Sequence, residues 1–371
     1  MNRLPDELLM LILDCLPPQE LHGISRVCKR WALVTRQRAQ LICKHRSLKV
    51  SNRLRSLVVS VAVPNLVNKL IPAWNLQALT ITVNVSLNSD DFVTLAQFSN
   101  IRHIDVFSDT GIINALPAQL NSVVINDIIT RPCMKTVINT KKLTSLHYFG
   151  RARPITAPQL KTLLTTHKTN LTELTIKCRE LPSRTFQYFS ECENITCLRL
   201  YECWRLCKEH MIFITKPTLK VLHLTGIRLI GSNSLTALIR TLPNSLEEFC
   251  ISASYLEDTH VNILKDQMPN LQVFEAWRCK LSCSGVLQLA KGLPRLKKLD
   301  TDILLSKQDL AALDNHPTLK QIRCLIEEND VKPFNLEVLK ANKKSKLFRN
   351  VGEGFRSDIF YFSNRNCMQI N

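Results

Sequence analysis

The side chains that carry out chemistry are plentiful in this chain of 371 residues, yet few stand at a working spacing. Nine histidines are present, but no His-Glu-x-x-His pair that would hold a zinc ion on one helical face. No Gly-x-Ser-x-Gly elbow presents a nucleophilic serine. With only nine glycines, neither Gly-x-x-x-x-Gly-Lys-Ser/Thr nor Gly-x-Gly-x-x-Gly is available to wrap backbone amides around a phosphate. Fourteen cysteines are scattered along a long chain with no Cys-x-x-Cys pair, which argues against a secreted disulfide scaffold. The densest group, Cys192, Cys197, Cys203 and Cys207, has no zinc-ligand spacing and reads as small buried packing residues. Sequons at Asn84, Asn170 and Asn194 would matter only after secretion. No catalytic residue, metal site or cofactor is expected. What remains is recognition chemistry: charged and aromatic side chains displayed by a scaffold.

That scaffold is legible as a repeat. Six-residue segments begin at Leu54, Leu76, Ile101, Leu120, Leu143, Leu171, Ile195, Leu219, Leu246, Leu271, Leu296 and Leu319, about 24 residues apart. Positions 1, 4 and 6 of each are apolar at 35 of 36 sites, Thr301 being the exception, although only 45% of the chain is apolar. Each segment reads as a short strand. Helical patterns follow the later ones: "SNSLTALIRTL" places Leu235, Leu238, Ile239 and Leu242 on one face, and "LEDTHVNILKDQM" and "SCSGVLQLAKGL" behave similarly. The repeats at Leu54 and Leu120 have weaker helix signals. One unit cannot bury its apolar face alone; stacking makes a continuous core.

This pattern resembles the leucine-rich-repeat family over about three quarters of the chain. Asn84, Cys203 and Cys279 occupy the ninth position, where such repeats commonly carry Asn or Cys; Cys178 falls one place early and most other repeats depart from the rule. The cysteine-bearing form is similar to the intracellular branch of the family. The resemblance implies an α/β solenoid, curved, with parallel strands on its concave face.

Strand residues alternate sides, so with positions 4 and 6 buried, positions 3, 5 and 7 line the inner surface. Early repeats offer Ser56, Ser60, Ala78, Thr80, Thr82, His103, Asp105 and Phe107; the middle offers His147 and Phe149; the later ones turn acidic with Glu248, Glu275, Asp300 and Asp302, Lys298 and Arg323 lying among them. Lys177, Arg199, Tyr201 and His223 are expected to receive an acidic or phosphorylated segment of a protein substrate, because Arg and Lys pair well with carboxylate and phosphate. Trp277 is the candidate anchor. A polar solenoid face whose true contact lies in the loops or tail is the alternative.

Ahead of the array, "LPDELLMLILDCLPPQ" is apolar all round, and Pro17-Pro18 ends it. A second short helix is expected from about Gln19 to Arg26 and a third near Cys28. Leu4-Pro5, Glu7-Leu8, Ile12, Leu16, Leu21 and the run Val27-Cys28-Lys29-Arg30-Trp31 match the F-box motif. The stretch resembles an F-box, a small all-α three-helix module that binds the adaptor Skp1 and, through it, a cullin-RING ubiquitin ligase. The resemblance implies a Skp1-binding set of Leu4, Pro5, Leu8, Leu9, Ile12, Leu16, Leu21, Val27 and Trp31; Leu9, Leu13 and Trp31 are expected to pack inside the module. It further implies a non-catalytic substrate receptor, with a Skp1-binding scaffold that recruits nothing for degradation as the alternative. The expected organisation is an F-box at 1–45, the repeat array at 46–330 and a C-terminal cap or basic tail at 331–371.

The net charge is +18. Nucleic-acid binding would need a continuous basic stripe with aromatic stacking, and the inner face changes sign halfway, so nucleic acid is not the expected partner. Asp6 and Glu7 precede the apolar N-terminal run and Asp14 interrupts it, which suits neither a signal peptide nor a membrane span. The expected setting is intracellular, in cytoplasm or nucleus. Near the end, "LEVLKA" from Leu336 reads as a shortened extra strand and "DIFYF" has strand character.

Overall fold

The computed structural model describes residues 40–43, 56–59, 76–81, 98, 100–106, 119–126, 137–149, 155–227, 232–252, 254–326 and 337–340. Among them fourteen strands form one parallel sheet in strict chain order. They are β1 (Gln40–Cys43), β2 (Ser56–Val59), β3 (Ala78–Ile81), β4 (His103–Val106), β5 (Ser122–Asn126), β6 (Ser145–Phe149) and β7 (Glu173–Lys177). There follow β8 (Cys197–Tyr201), β9 (Val221–Thr225), β10 (Glu248–Ser252), β11 (Val273–Trp277), β12 (Lys298–Leu305), β13 (Gln321–Ile326) and β14 (Glu337–Lys340). All twelve expected segments are strands, each beginning two residues after its start. β14 is the extra strand read in "LEVLKA". β1 was not foreseen: it lies within the residues assigned to the F-box and pairs with β2.

Like positions pair with like, so the repeat is also the register. Leu146, Leu174, Leu198, Leu222, Phe249, Phe274, Leu299 and Ile322 are successive partners at position 4. That column and the position 1 residues from Leu76 to Leu319 are buried in a single core, which is why the apolar template is strict. Each such side chain removed from water contributes about 1.5–3 kcal/mol. At the strand entrances a second ladder forms. The position 2 carbonyl accepts two amides from the next repeat, as Thr172 does from Thr196 and Cys197, and Lys220 from Glu247 and Glu248. Hydroxyls reinforce it: Thr218, Ser245 and Thr318 donate to the carbonyls of Ile195, Leu219 and Leu296.

Helices close the other side of the core. α1 (Ala157–His167) starts on a Thr156–Gln159 capping box and buries Leu160, Leu163 and Leu164. A 3-10 helix (Ser183–Glu191) occupies the same place in the next repeat, and a 3-10 turn (Lys208–His210) leads into α2 (Met211–Ile214). α3 (Ser232–Thr241), α4 (Val261–Gln267) and α5 (Cys283–Gly292) match the helical patterns read in the late repeats, and α6 (Lys307–Asp314) adds a further helix on a Ser306–Asp309 capping box. Gly285 lets α5 approach closely: a Cβ there would meet Asp258, whose carboxylate accepts from the Ser282 amide and hydroxyl. The Leu54 repeat has no helix among its described residues, and in the Leu120 repeat only Val137 and Ile138 are described as helical.

One strand is irregular. The β12–β13 register shifts between Asp300 and Leu304, and the Ile303 amide donates to the Thr301 hydroxyl. The single non-apolar site in the template, Thr301, marks this bulge.

Candidate interaction surface

The inner face of the sheet is built from positions 3, 5 and 7. Arg199 and His223 are direct cross-strand neighbours at position 5, and Lys177 and Tyr201 at position 7. Trp277 lies in the Tyr201 row three strands on, roughly 14 Å away. The four middle residues thus come together, with Trp277 apart from them. Ser60, Thr82 and Phe107 lie outside the described residues. So do the proposed adaptor contacts Leu4, Pro5, Leu8, Leu9, Ile12, Leu16, Leu21, Val27 and Trp31.

The wall carries its own carboxylates opposite its cations. Arg199 donates to Glu173 at 2.5 Å, and His223 lies 2.6 Å from Glu248. Lys177 sits 3.2 Å from Glu202, which also accepts from Arg179 at 2.6 Å. Lys177, Arg199 and His223 are buried. The positive charge expected to meet an acidic segment is therefore balanced within the wall. Glu173 stands at position 3 of β7, so the alternation rule could have found it. Glu202 follows the strand in a turn, and its role depends on the neighbouring repeat.

Burial sets the titration of this face. His147 bonds the Thr175 hydroxyl at 2.8 Å. Burial pushes its imidazole down to about 4, overriding Glu173, and the Arg199 charge pushes the same way. It is neutral at physiological pH. Burial works against Glu173, but His147, Arg199 and the Ser145 hydroxyl hold its carboxyl below the usual range. Glu248 is likewise held low, against burial, by its hydrogen bond to His223.

At the far end, Asp300 behaves oppositely. Its side chain is 2% exposed, with Arg323 at 3.1 Å and Lys298 at 3.8 Å on one oxygen. Its other oxygen is buried without a hydrogen-bond partner. Burial first, then the Glu275 charge, raise its carboxyl to about 7, more than Arg323 and Lys298 can offset. Lys298 is itself paired with Glu275 at 2.5 Å.

The strand exits form a rim. Among the described residues position 8 is left-handed in three repeats: Glu202 (φ 53°), Gly226 (φ 63°) and Arg278 (φ 55°). The glycine takes this conformation freely; Glu202 and Arg278 hold it at a cost of order 1–2 kcal/mol. The ninth-position cysteines stabilise the turn: Cys203 donates toward the carbonyls of Tyr201 and Ile176, Cys279 toward those of Trp277 and Ile251. Cys192 bonds the Leu164 carbonyl, Cys197 donates toward Glu173 and Cys207 lies 3.0 Å from His210, so with Cys203 the four clustered cysteines serve separate local contacts. Among the described residues no group of three His, Cys, Asp or Glu could hold a metal ion. No helix among them is long and apolar enough to cross a membrane.

Comparison with known proteins bears on the N-terminal segment and on the fold as a whole. Residues 1–44 match the F-box-like family. No curated protein sequence matches the chain. Among solved structures, it is similar to a chain of the Rad7–Elc1 complex of yeast. That match has 16% identity and a TM-score of 0.54, and it covers 89% of this chain and 90% of the other. An internalin of Listeria monocytogenes is 13% identical at a TM-score of 0.47, over 88% of this chain and 95% of that one. The chain thus joins an F-box-like segment to a leucine-rich-repeat solenoid.

Proposed function

We propose that this protein is a substrate-recognition subunit of a Skp1–cullin–F-box ubiquitin ligase. The observation that carries this reading is the F-box-like match at residues 1–44 directly ahead of a solenoid with a broad inner face. In this reading Leu4, Pro5, Leu8, Leu9, Ile12, Leu16, Leu21, Val27 and Trp31 supply the Skp1 contact. An interface of standard size buries about 800 Å² per partner, which a helix apolar on all sides can largely provide. The solenoid then holds a protein substrate, with Lys177, Arg199, Tyr201, His223 and Trp277 on the wall that faces it. The chain performs no bond-making step. It acts by proximity, raising the effective concentration of substrate lysines beside a ubiquitin-carrying enzyme. The yeast structure similar to this chain in fold was solved as a complex of Rad7 and Elc1.

The test is the double variant Leu8→Asp, Ile12→Asp. It is expected to lose Skp1 on co-purification while the far-ultraviolet circular dichroism of the solenoid is unchanged. Retained Skp1 refutes the adaptor assignment. Proteins bound to the wild-type chain are expected to accumulate when the cullin is inhibited; partners indifferent to inhibition would instead mark a scaffold.

A further inference from the structure

Four large hydrophobic side chains among the described residues are substantially exposed, and two are aromatic: Trp204 at 38% and Tyr255 at 46%. Both stand nine residues after a repeat start, at Ile195 and Leu246, so both lie on the rim where the strands exit. Each carries a cation over its ring from an adjacent repeat. The Arg179 guanidinium lies 4.9 Å from the Trp204 centroid, and the Lys280 ammonium 5.0 Å from that of Tyr255. Glu202 and Arg278, the two non-glycine left-handed residues among those described, lie in the same rim. Strained backbone of this kind persists where the surrounding structure requires it, and it concentrates at functional places.

The spacing has a chemical meaning. Trp204 and Tyr255 belong to the repeats of β8 and β10, two strand spacings apart, or about 9.6 Å. In a polyproline II segment residues i and i+3 are about 9.3 Å apart. Arg179 and Lys280 flank the two rings one repeat outward on either side. Exposed charge on this rim is mainly basic, from Arg179, Arg278 and Lys280, and the Asp302 carboxylate is engaged by the Arg278 amide. Among the described residues Glu180 and Asp258 are exposed exceptions, and the Asp258 carboxylate is engaged by the Ser282 amide and hydroxyl. The rim borders an inner wall whose Glu173, Glu202, Glu248, Glu275 and Asp300 are paired with its own cations, so the wall offers no continuous basic track for a phosphate backbone and leaves the rim cations to meet a few placed carboxylates.

We infer that the strand-exit rim from β7 to β11 docks an extended acidic segment of a partner protein. Apolar or proline side chains at i and i+3 lie on Trp204 and Tyr255, and flanking carboxylates meet Arg179 and Lys280. This places recognition on the rim beside the inner wall, and it rests on reading the solenoid as the partner-binding half of the molecule.

The experiment selects a display library of random peptides, about twelve residues long, on the full chain co-expressed with Skp1. Selected peptides are expected to share an apolar or proline pair at i and i+3 flanked by Asp or Glu. Synthetic copies should lose roughly tenfold or more in affinity by fluorescence anisotropy against Trp204→Ala with Tyr255→Ala. A similar loss is expected against Arg179→Glu with Lys280→Glu, which keeps both rings. Skp1 capture should be unchanged in both variants, which separates this inference from the adaptor assignment. Peptides without the i, i+3 spacing, affinities unchanged in either variant, an empty selection, or an oligothymidine that binds with the same dependence on Trp204 and Tyr255 would each overturn it.

Discussion

Asp300→Asn tests whether the buried carboxyl at the β12 bulge is held partly protonated near neutral pH. In the folded protein this carboxyl titrates at about 7, against an ordinary value of 3.8. Between those limits the native state holds a proton that the unfolded chain has released. Stability therefore falls as pH rises through the window and levels off above about 7. One proton over the ~1.5 units from pH ~5.5 to ~7 amounts to about 2 kcal/mol. His147 tilts the other way. Its imidazole is pushed down to about 4, so the unfolded chain binds the extra proton below the ordinary 6.5, and stability is lost as pH falls from there. The two slopes partly cancel in the wild type, so the variant must be read as a difference. Urea unfolding of both proteins, followed by circular dichroism from pH ~5.5 to ~8.5, gives that difference directly. Asparagine cannot titrate and also changes the partners of Arg323 and Lys298, which shifts the whole curve by a constant. The informative quantity is the slope. The wild type is expected to lose about 2 kcal/mol relative to Asp300→Asn on going from the acid to the alkaline end. A flat difference, or one of opposite sign, would show that Asp300 is ionised throughout and refute the reasoning.

Two further outcomes follow from buried polar groups. Glu202→Gln removes the carboxylate shared by buried Lys177 and by Arg179, and is expected to cost about 3–5 kcal/mol. Adding Lys177→Met should restore most of it, and additive losses in this double-mutant cycle would argue against the pairing. The thiols of Cys192, Cys207 and Cys283 are each raised to about 11, burial being the first cause, and that of Cys324 to about 12. Peptide mapping after iodoacetamide treatment at pH ~8 should find these four at least ~100-fold slower to react than after unfolding in urea, since only the thiolate attacks. Rapid native labelling of Cys207 or Cys283 would contradict this.

Much of the fold was legible because a solenoid writes its tertiary contacts at short range. Positions 1, 4 and 6 face a core supplied by neighbours about 24 residues away, so apolarity at those sites reports strand, register and stacking together. Leu174 and Leu198 pair because they hold the same place in successive repeats. The helices α3, α4 and α5 were legible from 3.6-residue periodicity, and Thr301 was the visible mark of the bulge. β1 escaped notice because Gln40–Cys43 is a four-residue strand at the end of a stretch read as a helical module.

The sequence by itself determined the repeat, the identity of the inner-face residues and the F-box resemblance, since each depends on residue type at a fixed spacing. Only the tertiary structure decided how those residues are used. Lys177, Arg199 and His223 read as basic groups for a partner, but Glu202, Glu173 and Glu248 reach them from adjacent repeats. Asp300 reads as one acid among several until burial isolates one of its oxygens. Trp204 and Tyr255 stand in unremarked loop positions until stacking aligns them on one rim, each beside a cation from an adjacent repeat. Charge pairing, desolvation and exposure depend on neighbours in space, and residue spacing along one chain does not specify them.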